Sequence, residues 1–406
     1  MRVRHKGSEM LALIFTALAF FLSRPPLLHA QTFNCGSTGA NGALDVTTPG
    51  TYDFYPGNPV QFSSLSDPEG DNIFHFTTIN IASGVTLRMS GRFLNGPVFL
   101  LASSDVRIDG TIDLKGEDGG PNTSIPANRT VAMPGAGGYA GGIGGKANFP
   151  AQSGGGPAGG VSGTGIFHGN AGGGGFTGNA FLIPLIGGSG GGGGYFPNPP
   201  DPFGAGGGAG GGAVLICSSS SLTVNGSITA AGGNGGQGAN PGVTLGFGGG
   251  GAAGAIRLVT PVLKGTGSLA ASVIRFEAFQ QNFTGTPQPP AAVLASPFAL
   301  FLPSTSTPAV RVTSIDGKSV PANPTGSFTL PDVGISKSTP VTVNIAAKNV
   351  PIGTVVKLYI SSENATDQTV DSTPLTGSLS ASTATATVTF PSGFSLGYVR
   401  ATWTNQ

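Results

Sequence analysis

Apolar and polar positions alternate with a period of two along much of this chain, and two distant stretches alternate in step. Residues 97–120 read PVFLLASSDVRIDGTIDLKGEDGG and residues 213–236 read AVLICSSSSLTVNGSITAAGGNGG, aligned without a gap at an offset of 116. Val98 falls on Val214, Leu100 on Ile216, Val106 on Leu222, Ile108 on Val224, Gly110 on Gly226 and Ile112 on Ile228. A third copy, AIRLVTPVLKGTGSLAA at 255–271, follows the same plan with a one-residue shift in its first strand. Each copy runs strand, polar corner, strand, glycine, strand. Such a repeat is the pattern of stacked layers, each burying its apolar face on the next. The expected fold class is all-β: a parallel β-helix or solenoid with glycine-rich insertions. In the first copy Val106, Ile108, Ile112 and Leu114 share the inward parity, and Arg107, Asp109, Thr111 and Asp113 the outward one.

Upstream, Ile73 to Ile81 and Val85 to Met89 alternate around Ser83-Gly84 and read as strand, turn, strand. From Pro308 glycine thins out and short alternating segments recur: Val310 to Ile315, Ser327 to Leu330, Val341 to Ala346, Val355 to Ser361, Thr383 to Phe390 and Leu396 to Trp403. That spacing predicts a small immunoglobulin-like β-sandwich, although the Cys and Trp spacing of true immunoglobulin domains is absent. The expected organisation is a signal peptide over 1–30, a glycine-rich solenoid domain over 31–303 with insertions at about 116–212 and 232–254, and the sandwich over 304–406.

The first thirty residues have a basic start, an apolar stretch (LALIFTALAFFLS) and a short exit ending at Ala30, which predicts a cleaved secretory signal. The apolar stretch is shorter than the roughly 20 residues a spanning helix needs, and no second one follows. The mature chain is therefore expected to be secreted or held at the cell surface, with no integral membrane segment. Cys35 and Cys217 leave two readings open, a disulfide in an oxidising compartment or a Cys217 simply buried in its strand, because two cysteines do not fix a connectivity.

Glycine supplies 71 of 406 residues, most densely between about Gly116 and Ala255. Flexible linkers mix glycine with serine and charge, whereas this tract carries Phe149, Phe167, Phe176, Tyr195, Phe196, Phe203 and Phe247. Both long tracts leave the repeats at equivalent places, after Leu114-Lys115 and after Ala230-Ala231. They are expected to form one ordered layer of extended, polyproline-II-like backbone, with glycine letting neighbouring chains hydrogen-bond directly.

Composition also narrows the chemistry. Charged residues are 9% of the chain and the net charge is +1, so no basic surface is available for nucleic-acid phosphates. Among histidines, His5 and His29 leave with the signal, and His75 and His168 are isolated, which argues against a nucleophile–histidine pair or a histidine zinc site. The G-x-G-x-x-G matches open no apolar helix and carry no nucleotide site. Asp105, Asp109, Asp113, Glu117 and Asp118 gather on one face and its exit turn, and paired carboxylates do drive glycoside hydrolysis. The matching positions in the second copy are Ser221, Asn225, Thr229, Gly233 and Asn234, so no second row of acids completes a groove, and a solvated face is the expected role. No catalytic, cofactor-binding or metal-binding residue is assigned. Tyr139, Phe167, Phe176, Tyr195 and Phe203 are expected to plug the glycine layer onto the strands, the alternative being exposed sugar stacking.

Asn34-Cys35-Gly36, Ile79 to Leu87, Asp109 to Leu114 and Gly254 to Val259 together resemble a family of exported bacterial glycine-rich β-solenoid proteins, adhesin-like, with a C-terminal immunoglobulin-like domain. The resemblance covers most of residues 31–275 and carries over no catalytic residues. It implies a structural or cell-surface protein, adhesin-like or carbohydrate-binding, whose partner is an extracellular polysaccharide or cell-surface component. The competing expectation is a polysaccharide lyase or glycoside hydrolase using the carboxylates of the first repeat.

Overall fold

The computed structural model describes the chain except residues 1–31, 59–61, 63, 68–69, 95, 124–128, 148, 165–169, 197–202, 238–245, 299, 301, 303–307, 322–323, 325–330, 363–364, 367, 394 and 404–406. The signal segment with His5 and His29, together with Phe167, His168 and the strand expected at Ser327 to Leu330, lies outside the described residues. The described residues are all-β and contain no helix.

The first layers are built by β1 (Leu44–Val46), β2 (Gly50–Asp53), β3 (Ile73–Phe76), β4 (Ile79–Ile81) and β5 (Val85–Arg88). The first repeat follows as β6 (Val98–Ala102), β7 (Val106–Ile108) and β8 (Thr111–Asp113). Within the glycine tract lie only β9 (Gly145–Lys146) and β10 (Tyr195–Phe196). The second repeat is β11 (Ala213–Ser218), β12 (Ser221–Val224) and β13 (Ser227–Thr229), and the third is β14 (Ala255–Gly265) and β15 (Ser268–Ala270). After them come β16 (Val273–Phe283), β17 (Thr286–Gln288) and β18 (Ala292–Leu294).

The repeats pair in parallel at the offset the alternation gives: Val214 with Val98, Leu222 with Val106, Ile228 with Ile112. Val106, Ile108, Ile112 and Leu114 are buried in one large core, and Arg107 on the opposite parity is exposed. The architecture nevertheless corrects the expected fold class, because this is not a clear β-helix solenoid. The strand order β1-β4-β7-β12-β14-β11-β6-β3 runs through a single ten-stranded parallel sheet, nearly barrel-shaped, with β16 and β18 attached beyond β14. A second parallel sheet has the order β17-β15-β13-β8-β5-β2.

The cause is local. In the second repeat Ser219 and Ser220 separate β11 from β12 at a corner, whereas the third repeat has one residue fewer there and β14 runs straight through Thr260-Pro261. Its first half pairs with β11 and its second half with β12, the offset falling from Ala213↔Ala255 to Ser221↔Val262 by one residue. Two rows of strands thereby merge into one continuous curved sheet.

The strands of the parallel sheets border two separate cores. Every residue of β6 and β11 is buried, on both faces. Phe99, Leu101, Leu215 and Cys217 point away from the main core into another, closed by Leu182 and Leu185 of the glycine-rich region and by Cys35. Cys35 and Cys217 form a disulfide there. The same side holds a buried ion triad. Arg257 Nε and Nη2 donate to Glu277 at 3.0 and 3.2 Å, and Arg275 Nε donates to the same carboxylate at 2.5 Å. The amide of Phe298 also donates to Glu277, and Arg275 Nη1 donates to the Ala180 carbonyl, so one carboxylate ties together two strands, a glycine-tract loop and the chain leaving the sheets.

The described residues of the glycine tract form a hydrogen-bonded bundle in place of the expected layer. Gly188, Gly191 and Gly194 donate to the carbonyls of Gly211, Gly208 and Ala205, each at 2.8 Å. Gly204, Gly207 and Gly210 donate in turn to Gly145, Gly142 and Tyr139, whose own amides donate back to Gly194, Gly191 and Gly188. The bonds recur every third residue, the period of polyproline II, and close a triangle of three extended segments. Residues 187–194 and 203–218 are buried throughout. A Cβ added at Gly210 would overlap the Gly188 carbonyl, and one at Gly144 the Gly204 carbonyl.

Downstream lie β19 (Ala309–Ile315), β20 (Lys318–Ser319), β21 (Val341–Lys348), β22 (Val355–Ser362), β23 (Gln368–Pro374), β24 (Thr376–Ser378), β25 (Ala381–Val388) and β26 (Ser395–Ala401). They form two antiparallel sheets, β20-β19-β21-β25-β24 and β23-β22-β26. Val343, Ile345 and Ala386 of one sheet and Val356, Leu358 and Ile360 of the other share one core.

Two measurements check these packing arguments. Amides of Gly188, Gly191, Gly207 and Gly210 should exchange with deuterium far more slowly than unstructured glycine, and Gly210→Ala should lower stability by at least about 1–3 kcal/mol through overpacking against backbone. Exchange at unfolded rates would mean that the bundle does not form. Glu277→Gln, which strands two buried guanidinium groups, should cost about 3–5 kcal/mol in denaturant titration, against no more than about 1 kcal/mol for Arg88→Gln at the exposed Asp53 pair.

Candidate functional site

Asp105, Asp109 and Asp113 share the outward parity of the first repeat, Glu117 and Asp118 follow in its exit turn, and each of these five acids is already engaged. Asp105 accepts from the amide and hydroxyl of Ser221 (3.1 and 2.8 Å), Asp109 from Asn225 Nδ2 (2.8 Å), and Asp118 from the amide of Asn234 (2.7 Å). All three partners lie 116 residues onward, because stacked layers at that offset put equal positions side by side. Asp109 also accepts from Arg107 Nε, Asp113 from the amide of Lys115, and Glu117 from Arg92 Nη2 and the amide of Met133. Three of the residues that spoke against a second row of acids, Ser221, Asn225 and Asn234, are thus neutral donors holding Asp105, Asp109 and Asp118 of the first.

These bonds set the protonation states. Hydrogen bonds from the Ser221 side chain, foremost, and from Ser220 hold Asp105 below the ordinary carboxylate value. Burial alone would raise Asp109, but Asn225 and Arg107 outweigh it and the net shift is downward. A general acid needs the opposite shift, toward the working pH. Asp67 is pushed up by burial, against the pull of the backbone amides of Asn72, Asp71 and Gly70 that its carboxylate accepts from. Those bonds close a tight turn, which is a structural use of the carboxylate.

A concave site lies elsewhere, beside terminal strands of the parallel sheets. β1 and β2 are the terminal strands of the two parallel sheets, and beside them is a cavity of about 250 Å³ whose floor includes Leu44, Phe62 and Phe76. Its mouth carries Asn41, Asp45, Thr47, Thr48, Tyr52 and Ser64. Tyr52 donates its hydroxyl to the Thr48 carbonyl at 2.8 Å, and Asp45 accepts from Asn80 at 2.7 Å. An apolar floor with hydroxyl and amide groups around it suits a small neutral polar ligand such as a sugar. Among the described lining residues Asp45 is the one carboxylate, and no Lys, Arg or His stands with it.

The remaining candidates are structural. His75, half-buried in β3, accepts from the Thr38 amide through Nδ1 at 3.2 Å. Phe203 is fully buried, with the Arg129 and Lys146 cations 4.5 and 4.2 Å from its ring centre and Phe149 edge-on to it. Phe176 packs against the second core, and Tyr139 and Tyr195 are half-buried. These positions favour plugging over sugar stacking. Among the described residues, no group of three or more His, Cys, Asp or Glu is arranged to hold a metal ion. The cavity beside β1 was not legible in the sequence, because it is made by two short strands of three and four residues.

Both depressed carboxylates predict a definite pH dependence. A folded-state value below the unfolded one gives stability that is present above the unfolded value and lost as pH falls through the folded value. Urea titrations should therefore show the wild type losing stability relative to Asp105→Asn as pH is lowered through and below about 4. A gain on acidification would mark a raised carboxylate and reopen a role for it as an acid. Comparison with known proteins finds no matching family model, no matching curated protein and no matching solved structure.

Proposed function

We propose that this chain is an exported structural or cell-surface protein, adhesin-like or carbohydrate-binding, that presents a rigid surface and performs no catalysis. The observation that carries this reading is the state of its acids. Asp105, Asp109 and Asp118 are each bonded to a neutral side chain or amide of the next layer, and neither Asp105 nor Asp109 has the raised value that proton donation demands. A hydrolase or lyase of the kind such sheets can carry needs a tuned pair of groups in a cleft. The cleft beside β1 instead offers hydroxyls, an amide and an apolar floor.

Export is supported by the basic and apolar N-terminal segment, and by the Cys35–Cys217 disulfide, a bond that persists in oxidising compartments. The rigid backbone bundle and the stacked sheets supply a scaffold on which a shallow ligand site keeps its shape. The partner class that fits is an extracellular polysaccharide or a cell-surface component.

The test is a panel of plant and bacterial polysaccharides presented to the purified mature chain, with both binding and chain length measured. Binding without depolymerisation, weakened about tenfold by Tyr52→Ala at the cleft, is the expected result. Depolymerisation that disappears in Asp109→Asn and Asp113→Asn would overturn the proposal in favour of a lyase or hydrolase.

A further inference from the structure

The outward face of the sheet β23-β22-β26 carries two side-chain rows across its strands. In one row Tyr359 stands directly opposite Tyr398, with Thr369 on its other side. The two rings are stacked, with centroids 4.8 Å apart and planes 11° from parallel. In the neighbouring row Lys357 stands opposite Arg400 and Asp371. The inward parity of β22, Val356, Leu358 and Ile360, is buried in the core, so the outward rows sit on a rigid base. Tyr398 is 58% exposed, and Lys357, Asp371 and Arg400 are also exposed.

The charges in this row do not cancel. Two cations directly opposite one another on a sheet repel, and only one of them has an anion: Lys357 Nζ donates to Asp371 at 2.7 Å. Among the described residues, the ion pairs leave Arg400 without a carboxylate. In a chain with 9% charged residues, an unneutralised guanidinium beside an aromatic pair calls for an anionic complement. Arg400 lies two residues from Tyr398 on the same face, about 7 Å along the strand. That spacing suits a sugar ring on the aromatic face with its carboxylate turned to the guanidinium.

We infer that this face is a binding site for a carboxylate-bearing pyranose, the repeating unit of an acidic polysaccharide. The stacked pair presents aromatic surface to solvent, Tyr398 being 58% exposed, and the apolar face of a pyranose packs on that surface. Arg400 takes the carboxylate in a planar, two-pronged hydrogen bond that a lysine does not reproduce. Thr369 and Lys357 are within the same two rows to meet ring hydroxyls. The inference rests on the carbohydrate-binding reading above and adds to it the location, on strands far in sequence from the cleft beside β1, and the charge of the sugar.

The experiment is titration calorimetry of the full mature chain with polygalacturonate, with its methyl ester and with a neutral glucan, at low and high salt. Polygalacturonate should bind, more weakly as salt rises, and Arg400→Gln should weaken it about tenfold while leaving the weaker binding of the methyl ester unchanged. Tyr398→Ala should abolish binding of both, and Tyr398→Phe, which keeps the ring, should retain it. Polygalacturonate binding that Arg400→Gln and Tyr398→Ala leave unaltered but Tyr52→Ala removes would overturn this inference and leave the broader reading standing. No binding to any of the three glycans, or a dimer in sedimentation that Tyr398→Ala dissolves, would overturn it as well, the latter by giving the face to a second copy of the chain.

Discussion

Carbonyl oxygens occupy the space where side chains would begin, and that constraint governs the centre of this molecule. In the glycine bundle, backbone meets backbone through hydrogen bonds every third residue, at separations that leave no room for a Cβ at positions such as Gly144 and Gly210. Ordering so many glycines costs conformational entropy that no burial of their own side chains offsets. The bundle therefore depends on attachment. It is attached through Leu182 and Leu185 on the second core, through Arg275 reaching the Ala180 carbonyl, and through segments 204–212 and 246–254 running directly into β11 and β14.

The sheets supply that attachment because their register is fixed twice. Inward apolar positions 116 residues apart lock the layers from the core side, and the acid-to-amide and acid-to-hydroxyl bonds lock them from the solvent side at the same offset. A slip of one residue would expose the first set and unpair the second. The carboxylates therefore read more simply as register pins than as catalysts.

How much of this could be read from the chain follows from which residues act locally. The repeat pairing was legible because Val98, Val106 and Ile112 and their counterparts hold one parity without exception. Order in the glycine tract was legible because residues such as Phe176 and Phe203 have no use in a floppy linker. The merging of two rows into one sheet was not, since it turns on one missing corner residue before Val262. The second core was hidden because Phe99, Leu101 and Leu215 sit on the parity that a one-sided strand gives to solvent. β23 went unseen because its sequence, QTVDSTP, buries little besides Ser372. The Tyr359–Tyr398 pair becomes a site only once two strands distant in sequence lie antiparallel.

A body held together by peptide groups instead of hydrocarbon has a thermal consequence. Exposing apolar surface raises the heat capacity on unfolding and exposing polar surface lowers it. The region around segments 187–194 and 203–212 is almost pure main chain, so melting it adds little to that quantity for its size. The curve of free energy against temperature should then be flatter than in a domain of equal length built on leucine and valine, with the loss of stability on cooling correspondingly shallow.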